Sequence, residues 1–129
     1  MKRLFAAGFL TIVSAMPARA TEWVICADGE QKASFSVLMG SEDAAAAIAS
    51  IRVEVGEELW STSKDEGKTI ARGKARVNRD RMQIDVLDAS TRKLVAQLWV
   101  YNASEGDDYV TGGVMRVIGK GAWAVTCDG

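Results

Sequence analysis

TIARGKARV (Thr69 to Val77), NRD (Asn78 to Asp80) and RMQIDVL (Arg81 to Leu87) follow one another without a break. Polar and apolar residues alternate along both flanks, and the three residues between them are turn formers, which reads as two β-strands joined by a hairpin turn rather than as a helix. On an extended chain successive side chains point to opposite faces. Arg72, Lys74 and Arg76 are therefore expected to share one face, and Ala71, Gly73, Ala75 and Val77 the other.

The same alternation continues in both directions. Toward the C-terminus it marks strands over Lys93 to Asn102 and Tyr109 to Gly119, then a last strand holding Trp123, Val125 and Cys127. Toward the N-terminus it marks Trp23 to Ala27, Ala33 to Gly40, a run through Ile51, Val53 and Val55, and a short return at Leu59 and Trp60. Ser41-Glu42-Asp43 before Ala44 to Ala47 reads as an N-cap and acidic first turn, so at most one short helix is expected near residues 42–48.

The expected fold is thus all-β: a small antiparallel meander of eight to nine strands. Removal of open edges favours its closure into a barrel, with a β-sandwich as the alternative. Lys93 to Asn102 is apolar on both sides, which suggests a central strand with Trp99 in the core. Ala71, Gly73 and Ala75, if inward, leave room for a tryptophan from another strand or for a small ligand.

Residues 1–20 read as a cleaved secretory signal: a Met1-Lys2-Arg3 start, an uncharged stretch from Leu4 to Met16, and Ala18-Arg19-Ala20 before Thr21. The apolar run falls short of the roughly 20 residues that span a bilayer, so no stable membrane anchor is expected after cleavage. A single disulfide-closed domain, residues 21–129, follows, with a periplasmic or secreted location. Of 16 bases and 17 acids in the 129-residue chain, the leader takes Lys2, Arg3 and Arg19 and no acid, leaving 13 against 17. This mildly acidic balance gives no reason to expect nucleic-acid binding.

WVICADG (Trp23 to Gly29) and WAVTCDG (Trp123 to Gly129) hold the chain's two cysteines. In an exported protein, cysteines this far apart point to a structural disulfide, Cys26 to Cys127, rather than a redox pair. Trp23 lies three residues before its cysteine and Trp123 four, which puts the first pair on opposite faces and the second on one face.

The chain has no histidine, which excludes Ser/His/Asp and Cys/His nucleophiles and His-ligated zinc. Ser61-Thr62-Ser63-Lys64 fits S-x-x-K, but the segment has no helix-forming run and the companion motifs are absent. Glu57-Glu58 and Asp107-Asp108 are adjacent pairs, whose side chains diverge on an extended chain. No cofactor or metal is expected, and catalysis is not.

Two features suggest binding instead. STSKDEG (Ser61 to Gly67) is the most loop-like stretch, and between Lys64 and Arg81 bases outnumber acids. The expected site therefore comprises Ser61, Ser63, Lys64, Lys68, Arg72, Lys74 and Arg76, with an acidic protein surface or an anionic envelope polymer as partner. Alternatives are a carrier with an internal barrel cavity, a periplasmic hydrolase inhibitor, and a hydrolase using carboxylates. In outline, a small exported β-barrel stapled by cysteines is similar to the bacterial periplasmic lysozyme inhibitors. Those proteins present a serine-containing loop to a glycosidase cleft, a position the resemblance would give to Trp60 to Lys64, with no residue role carried over.

Overall fold

The structure is a computed structural model and describes residues 21–40 and 44–128, so the expected leader and Gly129 fall outside it. Among the described residues, period-two alternation becomes nine strands. They are β1 (Glu22–Ala27), β2 (Ala33–Met39), β3 (Ile48–Val55), β4 (Glu58–Ser61), β5 (Lys68–Val77), β6 (Arg81–Asp88), β7 (Leu94–Glu105), β8 (Asp108–Val117) and β9 (Gly121–Asp128). Each pairs with the next and β9 pairs with β1, so the sheet is a closed barrel and not a sandwich.

Inward positions on facing strands carry the core. Phe35, Val37, Ile51, Val53, Ile84, Val86, Leu98 and Met115 are at most 1% exposed, and Trp60 is buried among the same cluster. The disulfide closes the ring: Cys26 and Cys127 are register partners in the β1–β9 ladder and are bonded to each other. Trp23 faces solvent, whereas Trp123 and Cys127 both pack toward the core, as their different spacings require.

The meander departs from the expected antiparallel pattern at one seam. β4 and β5 run parallel, paired only at Trp60 with Lys68 and Ser61 with Thr69, which makes the barrel mixed. Parallel neighbours normally need a crossover of a dozen or more residues, but here six suffice. Thr62 remains attached to β3, its amide donating to the Ile51 carbonyl at 3.0 Å and its hydroxyl accepting from the Ile51 amide at 3.1 Å. Gly67 then adopts φ +61°, with its α-carbon so close to Leu59 that a β-carbon would overlap the Leu59 carbonyl, and the chain re-enters alongside β4.

This seam decides how the barrel closes. Nine strands that strictly alternated would leave the first and last parallel. One parallel pair reverses the parity, and β1 meets β9 antiparallel with the cysteines opposed.

No α-helix forms in the described part of the β2–β3 connection, which contains one 3-10 turn, Ala45–Ala47, without a side-chain cap. The expected cap and acidic turn, residues 41–43, lie outside the described residues. Met39 pairs with Ile48, and the Gly40 amide donates to the Ala47 carbonyl at 2.8 Å. Both ends are thereby fixed at strand separation, and an α-helix, rising 1.5 Å per residue, would carry them apart.

Candidate functional site on the outer sheet face

Strand β5 carries the basic stretch, but a bulge divides it. Arg72 pairs with Val86 and Ala75 with Ile84, so Gly73 and Lys74 together oppose Asp85 alone. Directly opposed residues share a face, and the extra residue switches parity between Arg72 and Arg76. The three cations therefore do not form one stripe.

Lys74 and Arg76 stay on the outer wall, where they line a shallow groove of about 250 Å³ with Gln83, Asp85, Gln97 and Trp99. Arg72 lies at the seam where β5 leaves β4, and its Nη1 donates to the Ala45 carbonyl at 2.8 Å, fastening the 3-10 turn to the wall. The row of inward small residues is likewise absent. Ala75 packs on the core, Ala71 pairs with Leu87, and Gly73 sits in the bulge against Asp85 and Leu87.

The outer face is organised by β6, β7 and β8. One cross-strand row reads Arg76, Gln83, Trp99, Val114, and the next reads Asp85, Gln97, Arg116. Trp99 is half-buried on this outer surface, not in the core; Ala96, Leu98 and Val100 take the inward positions of β7. The Arg116 guanidinium lies 5.8 Å from the centre of the Trp99 ring, within cation–π range.

Hydrogen bonds hold the groups around the indole. Arg116 Nε donates to Gln97 Oε1 at 2.6 Å, and Gln97 Nε2 donates to Asp85 Oδ1 at 2.8 Å. Gln83 Nε2 donates to the Tyr101 hydroxyl at 3.3 Å. Among the described residues Lys74 and Arg76 have no ion-pair partner, which leaves their charge available to a ligand.

The remaining expected residues go elsewhere. Ser61 is 1% exposed, and its hydroxyl accepts from the Ser63 amide at 3.0 Å, so it is committed to the loop's own shape. Ser63 and Lys64 are exposed on that loop. Lys68 lies 5.4 Å from the Trp60 ring centre, and its Nζ donates to Glu58 Oε2 at 3.5 Å.

Glu58 also binds Lys120. That hydrogen bond, with the charges of Lys120 and Lys68, holds its carboxyl below the usual glutamate value. Two turn aspartates are lowered as well, Asp28 chiefly by the Ala33 amide and Asp88 by the Thr91 and Ser90 amides. Ionised and bound in this way, Glu58 is poorly suited to acid–base work near neutral pH. Among the described residues no group of three His, Cys, Asp or Glu stands together to hold a metal ion.

Arg116, Gln83, Gln97 and Asp85 carry no charge run or motif that marks them in the sequence. Their signal was parity: each occupies an outward position on a strand whose alternate residues are buried. No protein-family model, curated protein or solved structure matches the chain.

Proposed function

We propose that the protein is an exported, non-catalytic binding protein whose β5–β8 outer face recognises an anionic polymer of the cell envelope. The observation that carries this reading is the grouping of Lys74, Arg76 and Arg116 around the outward Trp99, with Gln83 and Gln97 between them. An indole offers a sugar ring a flat apolar surface. The amides match its hydroxyls, and the cations match carboxylates or phosphates along the chain. An acidic protein surface would need the cations but has less use for the indole. The disulfide is compatible with an oxidising compartment, and the leader-like residues 1–20 supply the route there.

The test is cosedimentation with peptidoglycan sacculi and titration with polygalacturonate, using neutral dextran as control. K74Q/R76Q is expected to weaken binding at least tenfold and to flatten its salt dependence. Trp99→Ala is expected to weaken it while leaving the salt dependence in place. Unchanged affinity in both variants would overturn the reading.

A further inference from the structure

The two ends of the barrel are finished differently. At the end holding the β3–β4 and β8–β9 turns, Glu58 is bound by both Lys68 and Lys120, so each of these charges has a partner. At the opposite end, where β1 begins and β9 stops, a recess of about 200 Å³ opens between the strands. Inward side chains such as Met39, Met82 and Val100 form its apolar wall.

Three neutral polar side chains at this mouth, Thr111, Asn102 and Asn78, are already engaged, while Tyr109 is exposed at its edge. Thr111 Oγ1 donates to Asn102 Oδ1, Asn102 Nδ2 donates to the Arg79 carbonyl at 3.0 Å, and Asn78 Oδ1 accepts from the Asp80 and Arg81 amides. Arg81 differs. As the first residue of β6 it borders the recess while its register partner is the outward Tyr101. Its Nε is buried and has no hydrogen-bond partner among the described residues, and no described carboxylate lies within ion-pair distance. A buried cationic donor without an acceptor is costly and calls for a partner.

We infer that this mouth is a second binding site, for a short aliphatic carboxylate whose chain enters the recess and whose head group accepts hydrogen bonds from the Arg81 guanidinium. The apolar wall matches the chain of that amphiphile, and Arg81, at a rim that also carries Asp128, matches its head group. The volume, below the 300 to 1,000 Å³ usual for drug-sized ligands, limits the chain to a short one. Methionines at the wall suit a flexible chain, since their side chains adapt to irregular shapes.

The experiment titrates the purified protein with a carboxylate series from butanoate to dodecanoate, followed by calorimetry and ligand-observed NMR, with octanol and octyltrimethylammonium as controls. Affinity is expected to rise about three- to fourfold per methylene and then level off once the recess is full, with octanoate preferred over both controls. Arg81→Gln is expected to lower octanoate affinity about tenfold, while Asp128→Asn, at the same rim, retains or tightens binding. A continued rise through dodecanoate would indicate surface adsorption and overturn the site. So would equal binding of the three octyl compounds, loss of binding in Asp128→Asn, or unchanged binding in Arg81→Gln. If Arg81→Gln does not fold, the contrast between octanoate and octyltrimethylammonium in the unaltered protein decides alone.

Discussion

Cys26 stands directly opposite Cys127 in the antiparallel ladder that joins the first strand to the last, with their α-carbons 4.0 Å apart. The bond is thus a rung of the barrel wall, and it encloses a loop with a sequence separation of 101. In the chain-entropy account a loop of that size is worth about 4 to 5 kcal/mol. Replacing both cysteines by serine is expected to cost about 2 to 5 kcal/mol in urea unfolding. A loss below about 1 kcal/mol would show that the ladder closes well enough without the bond.

Gly113 lies against the backbone of β7, where an added β-carbon would overlap the Trp99 carbonyl. Gly113→Ala must therefore push β8 away from β7. It is expected to destabilise the protein by about 2 kcal/mol or more and to change Trp99 fluorescence. Since the displaced backbone supports Trp99, polymer binding should weaken as well.

Arg72 and Arg76, four residues apart, separate structure from binding. Arg72→Ala removes the hydrogen bond to Ala45 and is expected to cost about 1 kcal/mol or less with polymer affinity unchanged. Arg76→Ala is expected to do the reverse, weakening polymer binding with little change in the unfolding midpoint. Equal effects of the two substitutions on binding would restore the single basic stripe that the bulge excludes.

Acid should loosen the fold in a defined direction. The carboxyls of Asp28, Glu58 and Asp88 titrate below their ordinary values of 3.8, 4.5 and 3.8 when folded. Their ionised forms therefore favour the native state. That contribution is complete above the unfolded values and disappears as pH falls through the folded ones. Urea midpoints should hold steady from pH 7 to about 5 and decline below about 4.5. Glu58→Gln should reduce the decline, and added salt should reduce the share owed to Lys120 and Lys68.

Alternation and turn chemistry made the barrel and its disulfide legible because both depend on local rules: period two, turn residues, and two cysteines at opposite ends of one domain. The parallel seam was hidden because it depends on Thr62 holding to β3 and Gly67 pressing against Leu59, contacts that no short-range pattern announces. The proposed binding face is legible only in part. Lys74 and Arg76 stand out as charges, but a bulge leaves no mark in composition, so strict alternation places Arg72 with them. A strand that is apolar on both sides points Trp99 to the core; which side meets solvent depends on the neighbouring strands, and those bring Arg116 and two glutamines to it.

A wall closed covalently at β1–β9 still has to yield somewhere, and the two residue pairs joining β4 to β5 are its shortest run of pairing. Amide protons at this seam should exchange with solvent well before those of the long β7–β8 ladder, without global unfolding. Breathing of the ring is therefore expected on the side away from the cross-link, where the Arg72 hydrogen bond to Ala45 ties the 3-10 turn to β5.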